Sequence, residues 1–403
     1  MAKPSKITIE QDTNDIGYDL SLYLDGKPIP WKNINQLLIK ESVYSFVPRI
    51  EFSFMDDGFF TLYNPVLEGQ IIDVVIALNK ESDNIVKQTF SILSSSVMQA
   101  SAVDGPQIIS VLGVLNRPSL INKSYNNSYA KQTFSEVLES IASYNNLALV
   151  SRIKSSDKMT WYQLNQTDNE FVNDSIYRSY ISDDDVPFCY INRDANLIYT
   201  SLKTESKKRS DLIFRKDNDK ALSKADDVGL DRYYTSFTYA DKSGFINSLQ
   251  GGYGTRMSYY DGNKLVTEDI KSAPFSELTK FKNKLNVNYD KFTNQTMKFG
   301  QLNNVYDSYF KSLVTNDLVR KSLFATTVVL NVKPNTYQLF DKINIEIEKG
   351  NNLVQSQSGD YLIGSILHNI GSNGRYNQML VCFRDGVGTS NSTTLFNNPL
   401  KEN

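Results

Sequence analysis

The sequence predicts a mainly β protein with α+β insertions, built around two similar antiparallel β units. Three observations carry that prediction. Short runs rich in β-branched and aromatic residues alternate with polar ones at both ends of the chain. Clear helical spacing is confined to the middle. A stretch that begins at Gly69 is matched in pattern by one that begins at Asp341.

Residues 7–9, 18–24, 49–54, 72–78, 87–93 and 107–115 read as strands, with turns at Asp25-Gly26-Lys27 and Asp56-Asp57-Gly58. Short strands without helical period predict an antiparallel barrel or sandwich. The pattern changes after Asn116-Arg117-Pro118. Thr133 and Glu136 have capping-box spacing, and Phe134, Val137, Leu138, Ile141 and Ala142 then share one helical face until Asn145-Asn146. A second box, Thr167 to Glu170, opens a helix with Val172, Ile176 and Tyr180 on one stripe. An acidic loop, Asp183-Asp184-Asp185, leads through Pro187 into a hairpin of residues 188–191 and 197–202. Residues 119–227 therefore read as an α+β domain, whose charged end, residues 203–227, is a solvated connection. Strand text returns at 233–239 and 245–260. A polar, helix-compatible stretch occupies 276–321, and 326–384 is again strands. The Ser/Thr/Asn-rich residues 386–403 are expected to be loose.

The repeat pairs residues 69–78, 87–98 and 105–112 with 341–348, 359–370 and 374–383. Both read as three-strand meanders with strand starts roughly 15–20 residues apart. Ile343, Ile345 and Ile347 alternate with Asn344, Glu346 and Glu348, giving a dry face and a wet one; Ile72, Val74, Ile76 and Leu78 give the matching dry face. The reading is a duplicated β domain with helical material between the copies. Three such chains would form a ring of six similar units.

Composition excludes several function classes. With 403 residues, two to four domains are expected. Hydrophobic residues at 40% and charged ones at 22% exclude a disordered chain. Lys+Arg total 43 against 45 Asp+Glu, a net charge of −2, which excludes a globally basic nucleic-acid binder. A single histidine excludes multi-His metal or catalytic sites, and two cysteines exclude a disulfide scaffold or four-Cys zinc site. There is no apolar leader at the N-terminus and no apolar run of roughly 18 residues, so a soluble protein with reduced thiols is expected, without membrane insertion.

The chemistry-bearing residues read as structural. His368 lies in a strand-like run with no second histidine or cysteine partner. Asp183-Asp184-Asp185 lacks the spacing of a calcium loop. Glu136 and Glu170 are capping-box members. Cys189 and Cys382 sit in apolar strands as inert thiols. Gly252-Tyr253-Gly254 matches neither phosphate-binding fingerprint. Lys203, Lys207, Lys208 and Arg209 form a basic cluster flanked by acids, and read as a solvated loop. The sequons at Asn126 and Asn294 are silent without secretion. No catalytic, cofactor-binding or metal-binding residue is assigned, no cofactor is expected, and the chain is not expected to be an enzyme. Any two of the 45 acidic residues could converge in space for glycoside cleavage, so that alternative stays open.

Residues 337–345, then Ser358-Gly359-Asp360-Tyr361-Leu362-Ile363 running to His368, then Tyr376 to Arg384-Asp385-Gly386 resemble the last tube-like β domain of baseplate hub proteins of tailed phages and contractile injection systems, which are related to the base of the type VI secretion spike. Residues 167–172 with the hairpin 187–202 resemble that family's α+β insertion. Gly251-Gly252-Tyr253-Gly254 with Tyr259-Tyr260-Asp261-Gly262 resembles the opening strands of its second tube domain. The resemblance implies a first tube-like domain at 1–118 and an α+β insertion at 119–227. It implies a split second tube domain at 228–265 and 324–388, a helical or polar insertion at 266–323 and a flexible tail at 389–403. No spike needle or hydrolase domain is expected after Gly386.

The implied assembly is a homotrimer whose two β-barrel tube domains per chain make a pseudo-hexameric ring in the virion tail. That ring would match a six-fold tail tube or distal tail protein to a three-fold central spike. The tape-measure and baseplate wedge proteins are the further partners, and DNA passes only transiently through the channel. Two other readings compete: a tail-associated cell-wall hydrolase, and a receptor-binding tail protein that uses its many tyrosines.

Overall fold

The computed structural model describes residues 8–9, 18–29, 33–56, 61, 63–78, 84–99, 106–183, 185–210, 212–216, 231–241, 254–261, 264–271, 293–298, 305–310, 312–313, 316, 320, 326–349, 352–354 and 357–384. The expectations for Asp184, Gly251–Tyr253, Asp385-Gly386, the tail and most of 266–323 lie outside the described residues.

The first β unit contains β1 (Tyr18–Leu24), β2 (Ile34–Ser42), β3 (Arg49–Asp56), β4 (Ile71–Leu78), β5 (Asn84–Gln99) and β6 (Gln107–Leu115). They pair antiparallel in the order β1-β4-β5-β6-β3-β2. In β3, Ile50, Phe52 and Phe54 are buried while Arg49, Glu51 and Met55 are exposed, the alternation of a strand with one dry face. The dry faces collect Tyr18, Leu22, Ile39, Ile72, Val74 and Phe90 into one core. Burial of each such side chain stabilises by roughly 1.5–3 kcal/mol. Asp25 and Gly26 both have positive φ, 47° and 75°, as the tight hairpin after β1 requires.

The insertion runs through α1 (Pro118–Ile121), β7 (Ser124–Gln132), α2 (Phe134–Tyr144), β8 (Ala148–Ser151), β9 (Met159–Thr167), α3 (Asp168–Ser175), β10 (Pro187–Ile191), β11 (Asn196–Ser201) and α4 (Leu202–Ser206). Both capping boxes form: the Thr133 amide donates to Glu136 Oε2 at 2.7 Å, and the Thr167 amide donates to Glu170 Oε2 at 2.8 Å. All five predicted face residues of α2 are buried. α3 stops at Ser175, so Ile176 caps it and Tyr180 lies beyond it. Strands β10 and β11 form the expected hairpin, and β8 joins β11 in parallel.

The second β unit contains β12 (Leu212–Lys216), β13 (Asp231–Asp241), β17 (Thr326–Val332), β18 (Lys342–Ile345), β19 (Gly359–Gly371) and β20 (Tyr376–Arg384). Between β13 and β17 come β14 (Gly254–Asp261), β15 (Lys264–Lys271) and β16 (Thr293–Lys298). The six strands of the unit close a ring, β12-β18-β19-β20-β17-β13 and back to β12.

Matched in chain order, β1 to β6 and β12, β13, β17, β18, β19, β20 have the same neighbours in the same sequence. The meanders β4-β5-β6 and β18-β19-β20 are the repeated text, and each has a bulge in its middle strand, at Ile92/Ser94 and at Ile363/Ser365.

Four expectations are corrected. The second unit is not purely antiparallel, because β12 runs parallel to both β13 and β18. Residues 212–216 were expected in a solvated connection of the insertion, yet Phe214 is fully buried in the barrel core. Strands β14, β15 and β16 form a separate three-stranded sheet, so among the described residues of 228–265 only β13 enters the barrel. Among the described residues the first unit is a sheet coiled on its own core and not a closed barrel.

Candidate functional surface

The two β units are joined by main-chain pairing. Strand β2 of the first pairs antiparallel with β19 of the second, Gln36 to Ser42 against Ser365 to Gly371. Along one edge β19 serves two partners: Gly359 to Leu362 bind β18, and Ser365 to Gly371 bind β2. Its other edge holds β20. The change of partner falls at Gly364, whose carbonyl accepts from the Val43 amide at 2.9 Å. A Cβ there would lie 2.7 Å from the Phe383 ring, which is why glycine stands at this junction.

This joint makes one continuous surface out of two units. The strands β5, β6, β3, β2, β19, β20, β17 and β13 lie side by side. The face opposite the cores carries Ser94 and Ser96 of β5, Ser110 and Leu112 of β6, Glu51 and Ser53 of β3, and Gln36, Leu38 and Lys40 of β2. It continues across the joint with Leu367 and Asn369 of β19, Met379 and Val381 of β20, Val329 and Asn331 of β17, and Ser236 and Thr238 of β13. The register aligns these side chains into rows, such as Arg49, Lys40, Leu367, Met379 and Asn331. Most are small polar or slim apolar groups. A groove of about 630 Å³ runs over the joint, between Lys40, Arg49 and Leu367.

Beneath the joint lies a buried polar cluster. His368 Nε2 is 3.3 Å from Glu41 Oε1, and its Nδ1 is 2.8 Å from the Tyr376 hydroxyl. His368 is 1% exposed and Glu41 2%. The Gln378 amide sits 3.3 Å from Nδ1 and also donates to the Asn335 carbonyl at 2.9 Å. Burial pushes the Tyr376 hydroxyl well above its ordinary range, so it stays protonated. The cluster ties one residue of the first unit to β19, to β20 and to the Asn335 carbonyl in the loop after β17. It has no opening to solvent through His368, and its geometry is that of a lock, not of a base facing a substrate.

The other sequence candidates separate across the fold. Asp183 accepts from the Tyr180 hydroxyl at 2.9 Å, while Asp185 accepts from the amides of Val186 at 2.9 Å and Lys203 at 3.0 Å, so the described part of the acidic loop is spent on turns. Among the described residues no group of three or more His, Cys, Asp or Glu is placed to hold a metal ion. Cys189 and Cys382 are free and buried, and burial pushes both thiols up. Lys208 pairs with the buried Glu205, which also binds Arg152 at 2.6 Å. Gly254 opens β14. Sequence reasoning missed Glu41 altogether, because it missed β2. Its signal was the buried series Ile34, Leu37, Ile39, Glu41, whose period of two is broken by the bulge between Ile34 and Gln36.

No family model matches the chain, and no curated protein sequence does. Solved structures do. The 43 kDa tail protein of prophage MuSo2 from Shewanella oneidensis aligns with a TM-score of 0.59 at 11% identity, over 92% of this chain and 99% of that one. The chain has the fold of a phage tail protein. A tail protein from Neisseria meningitidis MC58 shares the same tail-protein fold, with a TM-score of 0.56 at 10% identity, over 92% and 98% of the two chains. A lower likeness, with a TM-score of 0.48 at 9% identity over 90% and 76%, is to the E. coli c3393 protein, a component of the type VI secretion system.

Proposed function

We propose that the chain is a structural hub of a phage tail baseplate, trimeric when assembled, whose continuous sheet face lines a channel. The observation that carries this is the joint between β2 and β19 in a duplicated fold. In the second unit the counterpart of β2 is β13, and in the first unit the counterpart of β19 is β5. The ladder on the β12 edge of β13 ends at Tyr234, and the one on the β4 edge of β5 ends at Ile92. These are the two edges that the internal joint fills. A second copy can repeat the joint head to tail, with its β13 on this chain's β5. A strand edge that runs on past the end of its ladder invites such pairing. Closure after three copies gives six similar units and covers both of these edges in each copy.

The polar, slim side chains of the shared face suit the wall of a conduit, past which DNA moves without binding tightly. The proposed partners are the tail tube or distal tail protein on one side and the central spike on the other, with the tape-measure and baseplate wedge proteins around them. The role is structural, with no catalytic step. Native mass spectrometry of the concentrated chain, with negative-stain imaging, tests this. Particles of three chains with a central hole are expected. A monomer that degrades cell-wall polymer or binds cells by itself would overturn the reading.

A further inference from the structure

The groove over the joint carries a charge arrangement that neither the fold nor a smooth conduit needs. Lys40 and Arg49 are direct cross-strand partners, both exposed on the same face. Like charges placed opposite one another weaken a strand pair. Among the described residues neither cation has a carboxylate within ion-pair distance, and Glu51, one row away, pairs with neither. The matching rows of the second unit, Ser236, Thr238 and Ala240 on β13 with Thr327, Val329 and Asn331 on β17, are uncharged. The basic pair is therefore not a property of the repeated fold. Among the described residues of the shared face it occurs once, and beside it lies a half-buried apolar strip of Leu38, Leu367, Met379 and Val381.

We infer that this groove binds an acidic, amphipathic segment of a partner protein, with its carboxylates on Lys40 and Arg49 and its apolar side chains on Leu367 and Met379. The combination selects the ligand class. A nucleic-acid backbone would satisfy the cations but leave the apolar strip against water or phosphate. An apolar segment would cover the strip but leave two cations facing it unpaired, which costs desolvation without compensation. An extended segment with acidic and apolar residues in alternation meets both rows, since its side chains repeat with the period of the strands beneath. The inference depends on the groove alone and holds whether or not three copies close into a ring.

The test uses the purified full chain and three labelled probes in fluorescence anisotropy: a short peptide alternating Glu and Leu, its Gln–Leu analogue, and a mixed-sequence DNA duplex. The Glu–Leu peptide is expected to bind, more weakly as salt rises, and the other two to bind at least about tenfold more weakly. The double variant Lys40→Glu, Arg49→Glu should lose the Glu–Leu peptide and gain a Lys–Leu peptide, a swap that a misfolded variant does not show. Equal binding of the Gln–Leu analogue, preferential binding of DNA, no binding of any probe, or an unswapped preference in the double variant would each overturn the inference.

Discussion

Replacing His368 with leucine should cost about 3–5 kcal/mol of stability, read as a lower urea midpoint. The substitution keeps the volume and removes every polar contact of the ring. It strands the Glu41 carboxylate, 2% exposed and 3.3 Å from Nε2, inside the joint. It also deprives the Tyr376 hydroxyl and the Gln378 amide of their shared partner. Adding Glu41→Leu to the same chain should restore much of the loss, because the uncompensated carboxylate is then gone. A midpoint unchanged by His368→Leu would show that the cluster does not hold the two units together.

Placing a carboxylate at Ile343 should abolish folding. Ile343, Ile345 and Ile347 are 0%, 0% and 2% exposed and face the barrel core with Phe214, Tyr361 and Leu380. A charge there has no partner, and its burial cost exceeds what a domain's marginal stability of about 5–15 kcal/mol tolerates. Ile343→Asp is therefore expected only in the insoluble fraction. Ile343→Val, which removes one methylene, should stay soluble and lose about 0.5–1.5 kcal/mol. Soluble Ile343→Asp protein with a native circular dichroism spectrum would contradict this packing.

What the sequence disclosed follows the physics of its signals. Strong local patterns survived into the fold: both Thr-x-x-Glu boxes cap helices, and the alternating isoleucines at 343–347 point inward. The repeat was visible because it is carried by three consecutive strands that each pair with their neighbours in the chain, where pairing is local. The strands that were missed or misplaced are those whose partners are distant. Strand β12 is five residues between charged flanks, and its place is set by parallel neighbours at residues 231–234 and 343–345. The joint was invisible for the same reason. Glu41 and His368 are 327 residues apart, and the bulge at the start of β2 hid its period. The proposed channel face is the least legible part, since its side chains come together only through the alignment of eight strands.

The most direct measurement is the position of a single label on that surface in the assembled particle. Both native cysteines are buried, so a thiol introduced by Gln36→Cys on the exposed face of β2 is the reactive one among the described residues. Coupled to a maleimide gold cluster and imaged in end-on class averages, it should place three densities on the wall of the central hole. Densities on the outer rim, or on particles without a hole, would contradict a channel lined by the shared sheet.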